Sequence, residues 1–250
     1  MEHAISGANF TVRPSSREVV FETRIDLQKS GIFDRMSIAD GVVEAALDHR
    51  YRATFKCGPS FTDSEVIDSL TNAFAGVEFS LPGTDGLWEN LNVRTVPDSR
   101  FIGIEARCDI SQVYPLLAKA ESIYASELDG RYKARLWYGE AFSEQEALEA
   151  LERKWHGDDS LLPLPAWESA WVISHSEADY MRLSFRVDLE KTKLLKKLGS
   201  VDGIARYELA SRYSARFWVG SCFSNQEVLE AMKTRYEKFA QKANARAAAT

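Results

Sequence analysis

Cysteine is scarce in this 250-residue chain, and Cys57, Cys108 and Cys222 lie too far apart to build a disulfide framework or a paired zinc or redox motif. Reduced, structural thiols are the expectation. No apolar run approaches the ~20 residues a bilayer demands, and "MEHAISGANF" has neither the basic nor the apolar region of a secretory signal. A cytoplasmic protein with no membrane partner is therefore expected. The sequon Asn9-Phe10-Thr11 then has no consequence, because glycosylation needs the secretory route. The chain also lacks a phosphate-cradling glycine-rich loop and a metal-binding helix motif, so neither cofactor nor metal is expected and no catalytic constellation is suggested.

What the chain does have is ordinary globular composition, 45% hydrophobic and 27% charged, and an internal period. Gly58, Gly139 and Gly220 are each separated by 81 residues. The same offset relates Arg50-Tyr51, Arg131-Tyr132 and Arg212-Tyr213, and again Phe61, Phe142 and Phe223. A fixed period of this kind signals duplicated structure.

Each copy reads physically. "YRATFKCG", "YKARLWYG" and "YSARFWVG" alternate as half-buried strands that a glycine closes. Thr62 with Glu65, Ser143 with Glu146 and Ser224 with Glu227 then form capping boxes, so a helix must follow. Its apolar stripe is Val66, Ile67, Leu70 and Phe74 in the first copy, at helical spacing. Upstream, "VVFETRIDL", "FIGIEARCDI" and "YMRLSFRVDL" alternate as strands and run into a shorter helix, followed by a short strand such as "ARYELAS". A leading strand, "NFTVR", "NLNVR" or "SAWVIS", opens each copy.

The expected fold is α+β: three tandem ββαββα repeats, each a permuted ferredoxin-like unit with a four-stranded antiparallel sheet and two helices on one face. Pro-containing joints, "SLPGTDG" and "LLPLPA", set the domains at 1–83, 84–163 and 164–250. A pseudo-threefold axis and a linear stack would give the same sequence.

Alternation puts a polar set on the sheet face away from the helices. Taking Ile25 and Leu27 as core, the outward residues are Glu22, Arg24 and Asp26, then Glu105, Arg107 and Asp109, then Arg182, Arg186 and Asp188. The neighbouring strand adds Arg50, Arg52 and Lys56, then Arg131, Lys133, Arg135 and Trp137, then Arg212, Arg216 and Trp218. Cross-strand salt bridges Asp26 with Arg50, Asp109 with Arg131 and Asp188 with Arg212 are predicted to pin register. On these central strands four cations face two carboxylates in the first two copies and one in the third, in a chain of net charge −6. Cationic faces bearing Trp137 and Trp218 resemble the RNA-recognition fold, where bases stack on central-strand aromatics. "RYKARLWYG" departs from that pattern in sending its other aromatics to the core face.

Three function classes follow. The first is a non-catalytic binding protein whose Arg24, Arg52, Lys56, Arg107, Lys133, Arg135, Trp137, Arg186, Arg216 and Trp218 engage a polyanion, either single-stranded nucleic acid or a nucleotide ligand. The second is a protein-protein assembly or inhibitor module using the same aromatics and arginines. The third is an enzyme or ligand binder with an α+β-barrel cavity. "HGDD" at 156–159 and His175 with Glu177 are read as solvated loops, and "EKTKLLKKLG" at 190–199 as a solvated helix face. The Ala-rich tail is expected to prolong the last helix.

Overall fold

The computed structural model describes residues 2–5, 8–158, 166–169, 171–175 and 180–247. Most of the joint "LLPLPA", with Asp159 and Glu177, lies outside the described residues. The chain is mixed α+β, with three small antiparallel sheets and six α-helices among the described residues.

The first sheet contains β1 (Glu2–Ile5), β2 (Ala8–Arg13), β3 (Glu18–Thr23), β4 (Val42–His49) and β5 (Arg52–Cys57), in spatial order β1-β2-β3-β5-β4. Strand β1 is an edge addition that the alternation pattern did not indicate; it pairs with β2 in the register Glu2↔Thr11 to Ile5↔Ala8. The second sheet contains β6 (Asn92–Val96), β7 (Phe101–Glu105), β8 (Ile123–Leu128) and β9 (Lys133–Tyr138), ordered β6-β7-β9-β8. The third contains β10 (Trp171–His175), β11 (Tyr180–Ser184), β12 (Ile204–Ser211) and β13 (Ser214–Val219), ordered β10-β11-β13-β12. The helices are α1 (Ile32–Ser37), α2 (Asp63–Ala75), α3 (Tyr114–Leu117), α4 (Glu144–Trp155), α5 (Leu194–Gly199) and α6 (Asn225–Ala247).

Local chemistry accounts for these elements. On β5 the alternation buries Ala53, Phe55 and Cys57 while Arg52, Thr54 and Lys56 face the other way. The capping boxes start the long helices: the Thr62 and Ser143 hydroxyls each accept the N–H three residues on, and Glu65 and Glu146 accept the cap residue's own N–H. Ser224 and Glu227 do the same for α6. Strands β4, β8 and β12 each begin just after a residue with left-handed φ, namely Gly41 (+83°), Ser122 (+86°) and Gly203 (+93°). A glycine meets this conformation freely, whereas Ser122 carries the Cβ penalty.

The chain divides into two compact units. One comprises Met1–Arg94, Gly103–Tyr114 and Leu128–Arg135, the other Thr95–Ile102, Pro115–Glu127 and Leu136–Thr250. The core of the first gathers Phe10, Phe21, Phe55, Met36 and Leu70, with Phe10 and Phe21 rings 4.7 Å apart, and it also takes in Tyr132. The core of the second gathers Leu183, Phe185, Leu194, Phe217, Met232 and Tyr236.

Strands β3, β7 and β11 stop at Thr23, Glu105 and Ser184, so the Arg-x-Asp segments that follow are not on the sheet face. They cross the end of the neighbouring strand instead. Leu27, Ile110 and Leu189 donate their N–H groups to the carbonyls of Arg50, Arg131 and Arg212, beyond the end of the regular ladder. Arg24, Arg107 and Arg186, expected on the sheet, thus sit on connections, and Ile25, expected in the core, is 45% exposed.

Candidate functional site

Of the expected cations the sheet strands carry Arg52, Lys56, Lys133, Arg135, Arg182 and Arg216, and a carboxylate lies near each. Arg52 lies 3.3 Å from both Glu22 and Asp48, and Lys56 lies 3.7 Å from Glu44. Lys133 lies 3.6 Å from Glu105, and Arg135 2.8 Å from Asp129. Arg182 meets Glu140 at 2.8 Å, and Arg216 meets Glu208 at 2.7 Å. Glu44, Asp48 and Glu208 belong to the edge strands β4 and β12, and Asp129 follows β8, so a count over central strands alone missed them. The excess of positive charge inferred from the central strands is neutralised locally. Half-exposed pairs of this kind contribute about 0–1 kcal/mol each and leave the face polar rather than cationic.

Two aromatic pairs interrupt this network. Trp137 lies 5.5 Å from Phe101, ring to ring, and Trp218 lies 5.4 Å from Tyr180, its partner in the β11–β13 register. Both tryptophans are half-buried, and the Arg206 guanidinium sits 4.5 Å over the Trp218 ring. Phe101 and Tyr180 open β7 and β11; their place at strand starts, beside a tryptophan of the next strand, was the available signal for these pairs. At the corresponding position the first sheet has Lys56, 81 residues before Trp137.

The Arg-x-Asp arginines and the Arg-Tyr pairs are engaged elsewhere. Arg107 donates to Glu65 Oε1 and to the Ser60 carbonyl at 2.8 Å, and its guanidinium lies 4.9 Å over the Phe61 ring. Arg186 donates to the Ala141 carbonyl at 2.8 Å and pairs with Glu146 at 2.9 Å. Beside them, Tyr132 and Tyr213 are almost fully buried, at 1% and 2% exposure. The Tyr132 hydroxyl accepts the Gly41 N–H at 3.0 Å, and its ring meets Phe61 edge-on at 5.0 Å. The Tyr213 hydroxyl accepts the Ser122 N–H at 3.1 Å, and its ring meets Phe142 edge-on at 5.1 Å. Burial pushes the Tyr213 phenol up to about 12 and raises that of Tyr132. The hydrogen bond from the Thr62 backbone, opposed by burial and reinforced by Arg107, holds the Glu65 carboxyl below its ordinary range.

Asp109 and Arg131 lie 2.7 Å apart, and Asp188 and Arg212 lie 2.9 Å apart. Asp26 does not pair with Arg50. Its Oδ1 accepts the Lys29 N–H at 3.0 Å, as Asp188 Oδ1 accepts that of Lys191, and Arg50 rests 5.4 Å over its neighbour Tyr51. The difference has a physical cause. Arg131 also donates to the Ile38 and Val42 carbonyls, both at 3.2 Å, and Arg212 donates to those of Ala118 and Ile123, at 3.3 and 2.9 Å. Those second partners fix each guanidinium beside its aspartate, and none is placed against Arg50 among the described residues.

The remaining candidates carry no constellation. His156 caps the end of α4, and Glu149, Glu152, Arg153, His156 and Asp158 line a solvent-facing groove along it. His175 ends β10, and Glu177 lies outside the described residues. Among the described residues no group of His, Cys, Asp or Glu could hold a metal ion, and no helix is long and apolar enough to cross a membrane. Burial pushes the Cys57 thiol up to about 11 and raises that of Cys108, so neither is primed as a nucleophile. Comparison of the chain with protein-family models, with curated proteins and with solved structures finds no match.

Proposed function

We propose that the chain is built of three copies of one ββαββα unit of the permuted ferredoxin-like kind, spanning 1–83, 84–163 and 164–250. The 81-residue offset, the recurring capping boxes and the same order of four strands in each sheet support this reading. We further propose that it is a non-catalytic binding protein whose second and third sheet faces grip a protein partner. The observation that carries this is the paired arrangement of Trp218 and Tyr180 beside Arg216 and Glu208, with Trp137 and Phe101 paired in the same way on the second sheet. Aromatic and arginine side chains are what the centres of protein interfaces favour. A polyanion would first have to displace carboxylates already in ion-pair contact with the arginines, whereas a protein surface can use the rings and leave the pairs in place.

The test is capture from the native source after nuclease treatment, with wild type and the Trp137→Ala, Trp218→Ala double variant. The expected result is one stoichiometric protein, retained by wild type and lost by the variant, with affinity that varies weakly with salt. Binding of single-stranded nucleic acid that falls steeply and log-linearly with salt would favour the polyanion reading instead.

A further inference from the structure

The same docking arrangement occurs twice within the chain, and its two halves are left over at opposite ends of the series. In each occurrence a knob enters a notch. The knob of the first is Arg107, Arg131 and Tyr132, and its notch is Gly41, Gly58, Phe61 and Glu65 with the carbonyls of Ser60 and Val42. The knob of the second is Arg186, Arg212 and Tyr213, and its notch is Ser122, Gly139, Phe142 and Glu146 with the carbonyls of Ala141 and Ile123. The notch glycines allow the close approach: a Cβ on Gly58 would come within 3.3 Å of the Tyr132 ring, and one on Gly139 within 3.3 Å of Tyr213 Cβ.

The matching unused knob is Arg24, Arg50 and Tyr51. Tyr51 is 40% exposed, and Ile25 beside it is 45% exposed where its counterpart Val187 is buried. The guanidinium of Arg50 already lies over the Tyr51 ring at 5.4 Å, as Arg131 and Arg212 lie over Tyr132 and Tyr213 at 5.2 and 5.3 Å. The knob is thus preformed. The matching unused notch is Gly203, Gly220, Phe223 and Glu227 with the carbonyls of Cys222 and Ile204. Phe223 is 47% exposed where Phe61 is 3% exposed, and a Cβ on Gly220 would meet nothing nearer than 3.6 Å. Cys222 and Glu227 are also exposed.

We propose that this chain self-associates head to tail, the Arg24, Arg50 and Tyr51 knob of one copy entering the Gly203, Gly220 and Phe223 notch of a second copy. The occupant follows from complementarity: two working examples of the contact define what the open notch accepts, and the open knob has those residue types. A contact between two different surfaces is heterologous and propagates until rotation closes it. The knob and notch share no residue with the tryptophan pairs, so this inference stands or falls separately from the partner reading. It does rest on equating residues at the 81-residue offset.

Sedimentation velocity on the full chain and two variants tests it. Tyr51→Ala removes the knob, and Phe223→Asp spoils the notch; both positions are exposed, and circular dichroism confirms folding. Gly220→Val is a second notch variant, since Gly220 does not need a left-handed φ and has room in the free chain. Wild type is expected to gain mass with concentration, and each variant to stay at the mass of one chain. An equimolar mixture of Tyr51→Ala with either notch variant should stop at two chains, because one knob and one notch survive. Docking inside the chain enjoys an effective concentration of the order of millimolar. Wild type that remains a single chain up to about 1 mM therefore overturns the proposal. So do variants that assemble like wild type, a mixture that stays monomeric, and a monomer in which Tyr51 is shielded by its own chain.

Discussion

Tyr51 and Tyr213 occupy the same place in the same local sequence, each following an arginine and each directly preceding the strand that a glycine closes. One is 40% exposed and the other 2%. The arginine lies over the ring in both cases, so this stacking does not depend on docking. What differs is whether another segment supplies the Ser122 N–H, the Phe142 edge and the carbonyls of Ala118 and Ile123. A residue type and its backbone conformation are local properties. Burial is not.

The largest test of that comparison is truncation of the docked ring. Tyr213→Ala should cost about 3–5 kcal/mol, the usual loss for a buried aromatic, and it leaves the Ser122 amide without its acceptor. A shift of the denaturant midpoint at unchanged slope would measure it.

Alkaline titration probes the same ring without removing it. The folded-state phenols of Tyr213 and Tyr236 are both pushed up to about 12 by burial, above the ordinary value of 10. Their burial is therefore fully stabilising below pH 10 and is lost as pH rises from 10 to 12. Each should contribute a loss of about 2–3 kcal/mol over that window. Unfolding free energies measured across it should fall, and Tyr213→Phe should flatten part of the decline.

A smaller effect is expected at the notch. Ser122 holds φ +86° where the corresponding notches have Gly41 and Gly203, and its buried Oγ has no hydrogen-bond partner among the described residues. Ser122→Gly should stabilise by about 1 kcal/mol by removing the left-handed strain. The reverse change, Gly41→Ser, should destabilise, because a Cβ there would fall 2.8 Å from Val66 Cγ2. Thermal denaturation of the two variants should move in opposite directions.

The smallest effect is expected at Tyr51. Tyr51→Ala should change the stability of the isolated chain by less than about 0.5 kcal/mol, as exposed substitutions do. A loss as large as that of Tyr213→Ala would mean that Tyr51 is docked.

Much of this was legible in advance. The alternation in "YRATFKCG" and its relatives located β5, β9 and β13, and the hydroxyl-x-x-glutamate boxes located the starts of α2, α4 and α6, because both signals are read out by residues within one turn or one strand. Two of the three aspartate-arginine pairs also have their partners within hydrogen-bond reach. The neutralisation of the cationic face was not legible. Its cations are met by Glu44, Asp48, Asp129 and Glu208, which come from edge strands and a strand end whose lateral placement depends on the sheet order.

By itself, then, the sequence determined the elements other than β1, their 81-residue recurrence, the caps and the inward face of β5, β9 and β13, all of which rest on periodicity and short-range hydrogen bonding. Only the tertiary structure decided which cations are paired, that Arg107 and Arg186 leave the sheet to hold Glu65 and Glu146, and which Arg-Tyr knobs are occupied. The physical reason is that ion pairing and burial belong to pairs of surfaces, and identical residues acquire different energies according to what the fold sets against them.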